Sequence, residues 1–240
     1  MVRLKPIRME EAARYLGYGG KQPDEVILSL MRECEAPLLE ACRPAYSYAV
    51  FDVEAAGEEL ILLRDCALRL TGKDIVKHLE GCQKAAVMAA TLGSGVDRLL
   101  RQLQVSSMPK ALLTDAMAGA AIEQICDDLQ EEIRTQLPAY RQTWRFSPGY
   151  GDLPLSLQET LLSVVEAGKR IGLVTTQSQM LSPVKSVTAI IGLQSYEQIS
   201  GALHLSVPEE AGAAGCGTPE GCSRCRFGGS CGLSAAEKKE

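Results

Sequence analysis

The chain is short of aromatic residues, histidines and long apolar runs, and each shortage excludes something. Phe, Trp and Tyr make up 5% of the sequence, with one tryptophan, Trp144, too few for a surface that stacks the bases of a single-stranded nucleic acid. An excess of positive charge is also missing. Lys and Arg number 25 against 30 Asp and Glu, for a net charge of −5, which disfavours a protein built to grip phosphate backbones. No apolar stretch approaches the roughly 20 residues that span a bilayer. The segment Met1-Val-Arg-Leu-Lys-Pro-Ile-Arg-Met-Glu10 lacks the apolar core and small-residue cleavage site of a secretion signal. The expectation is a cytoplasmic protein whose partners are neither membrane nor nucleic acid. The rest of the composition is that of an ordinary globular chain. Its 240 residues are 46% hydrophobic and 23% charged, enough to bury about three quarters of the unfolded surface without disulfides.

Nine cysteines are many for such a chain, and their odd number in a cytoplasmic setting argues against a disulfide framework. Cys34, Cys42, Cys66, Cys82 and Cys126 are scattered through periodic segments, where unpaired cysteine packs as a small buried hydrophobe. Cys216, Cys222, Cys225 and Cys231 crowd together near the C-terminus instead. Composition changes once, at about residue 207: residues 1–207 carry apolar periodicity, whereas 208–240 read as a Gly- and Cys-rich tail.

Within the body, helices alternate with short strands. Asp24-Glu25 opens a helix through Ile27, Leu30, Met31 and Cys34 toward Cys42. Tyr46–Val53 and Leu60–Leu63 pair as strands around a turn at Gly57, and Thr71-Gly-Lys-Asp-Ile-Val-Lys77 starts a short helix. Lys84–Leu92 is an apolar strand, Gly95–Leu103 a helix, and a longer helix follows Pro109 to about Gln136. Arg141–Phe146 reads as a strand, Ser156–Gly168 as a helix and Val187–Leu193 as a buried strand. No regular βαβ cadence appears, so the fold class is α+β, mixed helices with an antiparallel sheet. On the long helix, Asp115, Ala118, Gly119, Ile122, Cys126, Leu129 and Ile133 share a face, and the alanine-rich stretch 116–121 would admit a close backbone neighbour. An acid within such a stripe, like Asp115, must find a hydrogen-bonding partner. Glu123 lies at the boundary of that face, where a carboxylate is either half-buried beside a pocket or solvated.

Familiar engines are absent. Thr91-Leu-Gly93-Ser-Gly95-Val-Asp97-Arg98 has the strand-to-helix context of a dinucleotide site, but Arg98 stands where the third glycine belongs, so a tight turn is the better reading. There is no P-loop lysine and no Gly-x-Ser-x-Gly elbow, and His78 and His204 lie in unrelated segments with no nucleophile motif around them. The cobalamin-binding pattern Asp-x-His-x-x-Gly is also incomplete around His78, with Val76 where the aspartate belongs, which leaves any corrinoid to a partner.

The most informative segment is Trp144-Arg145-Phe-Ser-Pro-Gly149-Tyr150. A guanidinium at a strand end offers a fork matched to a carboxylate, Gly149 allows main chain to approach a ligand, and Tyr150 supplies a ring face and a hydroxyl. Arg-x-x-x-Gly-Tyr arises by chance in about one chain of this length in forty, so the segment does not stand alone. It resembles the S-adenosylmethionine-binding motif of the reactivation domain of cobalamin-dependent methionine synthase. Ala116-Met-Ala-Gly-Ala-Ala-Ile-Glu123-Gln-Ile-Cys-Asp-Asp-Leu-Gln-Glu-Glu-Ile-Arg134 is similar to the family helix that supplies a ligand-contacting glutamate, and Met180-Leu-Ser-Pro183-Val-Lys185-Ser186-Val-Thr-Ala-Ile-Ile-Gly192 to the Pro-x-x-Ser-Val stretch downstream of the motif. The family's ligand-contacting aspartate has no counterpart here, and Tyr196 corresponds, at altered spacing, to a later family tyrosine.

The resemblance implies a stand-alone reactivation domain that serves, in trans, a methionine synthase lacking its own. S-adenosylmethionine would be held by Arg145, Glu123, Gly149, Tyr150 and Tyr196. An electron from a flavodoxin or ferredoxin-type donor would reduce the partner's cob(II)alamin, which then takes the methyl group, with no general base required. The alternative is a non-catalytic S-adenosylmethionine-binding or electron-transfer accessory protein of another corrinoid methyltransferase. The tail is outside the resemblance. Its Cys216-x5-Cys222-x2-Cys225-x5-Cys231 spacing contains one chelating pair, which suits an iron–sulfur cluster or zinc as well as redox-active thiols, and Arg224 and Arg226 favour the thiolates any of these needs.

Overall fold

A strand covered on both faces must be apolar at every position rather than at alternate ones, and two strands of this protein are. In the computed structural model, residues 4–19 and 21–197 are described. They form seven helices and eight strands: α1 (Met9–Tyr15), α2 (Glu25–Ala41), β1 (Ala45–Ala55), β2 (Leu60–Leu63), β3 (Arg69–Thr71), α3 (Lys73–His78), β4 (Lys84–Thr91), α4 (Ser94–Ser106), α5 (Met108–Gln136), β5 (Tyr140–Gln142), α6 (Leu157–Val164), α7 (Ala167–Ile171), β6 (Val174–Thr175), β7 (Leu181–Ser182) and β8 (Ser186–Ser195). A six-stranded sheet has the order β3-β2-β1-β4-β8-β5, and β6 and β7 make a small separate pair. The β1–β2, β2–β3 and β5–β8 pairs are antiparallel. Residues 85–90 of β4 are completely buried, as are Ala189, Ile190, Ile191 and Leu193 of β8. These are neighbouring interior strands of the sheet, and the alanines of β4 let covering elements lie close. This is the α+β architecture, helices with an antiparallel sheet, that the alternating pattern implies.

The described residues divide into two compact units. One comprises the chain through Ser47, Ala90–Asp128 and Ala167–Val187, and the other comprises Tyr48–Ala89, Leu129–Glu166 and the residues from Thr188 onward. In the first, Asp24 caps α2 by accepting the Ile27 N–H at 2.9 Å. The helix buries Met31, Cys34 and Leu38, a three-and-four spacing that makes one face. α2 packs on α4, whose first turn is reached from β4 through Gly93 at φ +84°. In the second unit lie α3, α6, β2, β3, β5 and most of the sheet. No helix among the described residues is long and apolar enough to cross a membrane.

Two elements differ from expectation. Arg141–Phe146 is not one strand: pairing covers Tyr140–Gln142 and resumes only at an isolated bridge between Phe146 and Ile190. The cause is Thr143. Its N–H donates to the Gly192 carbonyl at 2.9 Å, but its side-chain Oγ1 accepts the Gly192 N–H at 2.8 Å in place of a main-chain carbonyl. The strand buckles there, as at a bulge. Ser156–Gly168 is likewise two helices, α6 and α7, because Glu166 takes φ +51° and interrupts the α conformation.

Gly95 sits in the first turn of α4, where alanine would ordinarily favour the helix by about 1 kcal/mol. A Cβ there, however, would lie 2.2 Å from the Ala41 carbonyl oxygen at the end of α2. The contact is with backbone, which cannot swing away, so it decides the sign. Gly95→Ala is expected to lower stability by about 1–3 kcal/mol, read as a shift of the urea midpoint at unchanged m-value.

Candidate functional site

Once the chain leaves the ladder at Thr143, it passes through Trp144 and Arg145, touches β8 again at Phe146 and turns at Ser147–Tyr150. Gly149 has φ +90° and Gly151 φ +51°, conformations that glycine adopts at least cost. The Gly149 N–H donates to the Leu153 carbonyl at 2.9 Å and the Tyr150 N–H to that of Ser147 at 3.0 Å. Both amides are thus used within the loop, and the left-handed turn is what requires glycine at position 149. What the loop presents is the Arg145 guanidinium and the ring and hydroxyl of Tyr150.

The loop is anchored on α3. Asp152 accepts the N–H groups of Lys73 and Asp74 at 2.7 and 3.1 Å, so the N-terminal cap of this helix comes from a segment far away in sequence. The two backbones approach so closely that a Cβ on Gly72 would lie 2.4 Å from Asp152 Oδ1, and one on Gly151 would lie 2.1 Å from Asp74 Oδ2. Behind the loop, four rings form a cluster. Trp144 and Tyr150 lie with centroids 6.3 Å apart and planes at 28°. Phe146 and His78 complete it, with His78 4.8 Å from Trp144 and 5.0 Å from Phe146. The indole N–H of Trp144 is buried without a hydrogen-bond partner, so this ring serves through its faces. His78 is 5% exposed, and its Nε2 lies 2.9 Å from Thr143 Oγ1. It ties α3 to the buckle in β5, a structural role in keeping with the lack of any nucleophile motif around it.

Arg145 is half-buried, and its Nη1 donates to the side-chain oxygen of Gln130 on α5. Gln130 is 3% exposed and is itself held by Gln142. Its Nε2 donates to Gln142 Oε1 at 3.4 Å, and Gln142 Nε2 donates back to the Gln130 carbonyl at 2.9 Å. The sequence reading missed both glutamines. Gln130 lies within the α5 segment that carries the resemblance but at no position the resemblance singles out, and its burial is what marks it; Gln142, half-buried at the end of β5, lies in no motif.

Glu123 is half-buried on α5 between Ile122 and Gln124, which are 5% and 4% exposed. Gln124 straps the N-terminal segment, accepting the Arg8 N–H and donating to the Pro6 carbonyl, both at 3.0 Å. Asp115 is not within the buried face: its side chain is 56% exposed and pairs with Lys185 at 2.9 Å. The helix is buried on nearly every side from Ala116 to Cys126, so one stripe is a poor guide to where its cover begins. Gly119 meets the Tyr15 ring, not another backbone. Tyr196 is 46% exposed and donates its N–H to Ala139 at 3.0 Å. It lies six residues beyond Ile190, the partner of Phe146, roughly 20 Å along an extended chain.

The Pro183–Ser186 segment is held internally. Val184 N–H donates to the Asp97 carboxylate at 3.0 and 3.3 Å, Ser186 Oγ donates to the Pro183 carbonyl at 2.7 Å and meets Thr91 Oγ1 at 2.8 Å, and the Leu92 N–H donates to Lys185 at 3.0 Å. The Gly93 amide is taken by Thr91 Oγ1 at 3.0 Å, and a Cβ on Gly93 would press on Arg43 at 3.2 Å. The strand-to-helix turn is therefore a packing device, with Asp97 as its clasp.

Cys34, Cys42, Cys82 and Cys126 are buried. Cys66 is the exception, half-buried, with its sulfur accepting the Leu68 N–H at 3.4 Å. Burial pushes the Cys42 thiol up to about 11 and the Cys82 thiol up to about 12. Cys216, Cys222, Cys225 and Cys231 lie outside the described residues. Among the described residues no three His, Cys, Asp or Glu side chains are placed to hold a metal ion.

No protein-family model matches the sequence, and no curated protein matches it. Two predictions follow from the local geometry. Asp152→Ala is expected to cost about 1 kcal/mol through the lost cap, measured by thermal unfolding, with an excess of hydrogen exchange in α3. The stabilising effect of the protonated Cys42 and Cys82 thiols is complete below the unfolded thiol value of about 8.5 and is lost as pH rises toward about 11 and about 12. Stability is therefore expected to fall on the alkaline side of pH 9, more steeply than in a Cys42→Ala/Cys82→Ala variant; a parallel pH profile in that variant would contradict this. Among solved structures, the chain is similar to "Crystal Structure of the MetH Reactivation Domain bound to AdoHcy", at 19% sequence identity over 76% of this chain and 73% of that one, with a TM-score of 0.59. The protein has the fold of the MetH reactivation domain.

Proposed function

We propose that the protein binds S-adenosylmethionine and supplies its methyl group to the reduced corrinoid of a separate cobalamin-dependent methionine synthase, restoring that enzyme in trans. The observation that carries this reading is the Arg145–Gly149–Tyr150 loop, with its guanidinium held from behind, in a chain whose fold is that of a domain solved with AdoHcy. AdoHcy is what remains of S-adenosylmethionine once the sulfonium has given up its methyl group. A guanidinium fork matches an amino-acid carboxylate, and an aromatic ring such as Tyr150 offers a face to a nucleoside base or a sulfonium. The residues of the loop fit a ligand that has both parts.

The corrinoid, as substrate, is reduced by one electron from a flavodoxin or ferredoxin-type donor. It then attacks the methyl carbon, and the electron pair of the broken carbon–sulfur bond stays on sulfur. The protein's share is positioning. Arg145 anchors the methionyl carboxylate, Tyr150 covers the ligand and the turn at Gly149 sets the height of the ring. The resemblance adds polar contacts from Glu123 and Tyr196, each open to test with its own variant. On their spacing, Cys216, Cys222, Cys225 and Cys231 are proposed as ligands for an iron–sulfur cluster or zinc. Metal analysis of anaerobically purified protein, with visible absorbance to mark iron–sulfur, decides between them.

Trp144 is the sole tryptophan and belongs to the ring cluster behind the loop, so its fluorescence reports on the site directly. Titration with S-adenosylmethionine and AdoHcy is expected to give saturable changes, and Arg145→Ala to weaken both ligands by about 10- to 100-fold, the worth of a hydrogen bond to a charged group. Methyl-labelled S-adenosylmethionine, a reductant and a cob(II)alamin-loaded methionine synthase lacking its own reactivation domain should then place label on the corrinoid. Binding without label transfer would favour an accessory protein of another corrinoid methyltransferase, and no binding would defeat both readings.

A further inference from the structure

We infer that Gln130 is a positioning residue for the ligand-binding guanidinium, setting its direction while leaving its charge intact; this rests on the reading of Arg145 as the carboxylate anchor. An arginine side chain has four rotatable bonds, and ordering one costs up to about 2 kcal/mol of rotamer entropy, so a fork oriented before the ligand arrives binds more tightly. Gln130 provides that orientation from the interior. The residue is 3% exposed, lies on α5, and its side-chain oxygen accepts from Arg145 Nη1. The carboxamide cannot turn over, because its nitrogen would then face the guanidinium donor to donor and lose Gln142 Oε1 at 3.4 Å. Gln142 is fixed in turn by its donation to the Gln130 carbonyl at 2.9 Å. The three side chains form one directed chain: Arg145 donates to Gln130, and Gln130 donates to Gln142. It spans the last regular residue of β5 and the loop that begins after the buckle at Thr143.

The residue type matters as much as its place. A glutamate at position 130 would reach Arg145 equally well, but as a buried carboxylate it would form an ion pair and compete with the carboxylate of the ligand. A neutral carboxamide accepts the hydrogen bond without bringing a second carboxylate to the guanidinium. Gln130 therefore acts on one part of the ligand, the amino-acid carboxylate, and not on the adenosyl group.

The test compares AdoHcy with decarboxylated AdoHcy, which lacks that carboxylate, by Trp144 fluorescence in the full chain. Wild-type protein is expected to prefer AdoHcy, and Arg145→Ala to abolish the preference. Gln130→Met, of similar length but without hydrogen-bonding groups, should weaken AdoHcy by about fivefold to thirtyfold and leave the decarboxylated ligand within twofold. Gln130→Glu should reduce the preference at least as far, and adding Gln130→Met to Arg145→Ala should change nothing further. Because the decarboxylated ligand reports folding and pocket integrity in every variant, equal weakening of both ligands would mark Gln130 as merely structural and overturn the inference. So would an unchanged preference in both Gln130 variants. Wild-type protein that binds neither ligand, or binds both equally, refutes the reading of Arg145 itself, a failure visible before any Gln130 variant is made.

Discussion

The hydroxyl of Thr143 stands where a main-chain carbonyl would continue the β5–β8 ladder, and the site depends on that substitution. By accepting the Gly192 N–H at 2.8 Å, it satisfies an interior strand's donor while freeing its own carbonyl from the ladder. Had pairing run unbroken to Phe146, Trp144 and Arg145 would have been ladder residues with side chains fixed by the pleat. Off the ladder, Trp144 joins a ring cluster and Arg145 reaches a glutamine on α5. Gly192 makes room for this, since a Cβ there would lie 3.1 Å from Thr143 Cγ2 and 2.5 Å from Cys82 Sγ. The same hydroxyl meets His78, so the buckle, α3 and the loop that α3 anchors form one connected structure.

Much of the fold was legible because it follows from periodicity. α2, with its Asp24 cap and apolar face, emerges with nearly its observed ends, and so do the β1–β2 pair and the continuous apolar β4. What was not legible depends on contacts remote in sequence. α1 is 7 residues and β3 only 3, too short for a period to register. The break at Glu166 turns on one backbone conformation that no residue there announces. Asp115 was placed in the apolar stripe because the 100° rule treats a face as evenly covered, whereas here the carboxylate reaches the surface and pairs with Lys185.

The candidate site was legible in part, for a related reason. Arg145, Gly149 and Tyr150 are close in sequence, so a motif can hold them. Gln130, Gln142 and Asp152 support them from α5, from the end of β5 and by capping α3. These are ordinary polar residues at ordinary spacings, and their roles exist only once the chain is folded. Gln130 leaves one signal, the burial of an amide side chain on α5, and it becomes visible only when neighbours are known.

The segments that carry the resemblance do different physical work. In Pro183–Ser186, the Val184 and Ser186 hydrogen bonds to Asp97, Thr91 and Pro183 account for the polar groups through packing alone. A likeness there reports the fold, in line with a structural match at 19% identity. Gly149 is likewise required by turn geometry, and its amide is already satisfied within the loop. Arg145 is different. Packing would be served as well by an apolar side chain, which would need no buried carboxamide behind it. A half-buried guanidinium must offset its desolvation with polar partners, and Gln130 on α5 is one that the fold supplies. Of the residues in that loop, the guanidinium is the one whose place the turn geometry alone does not set.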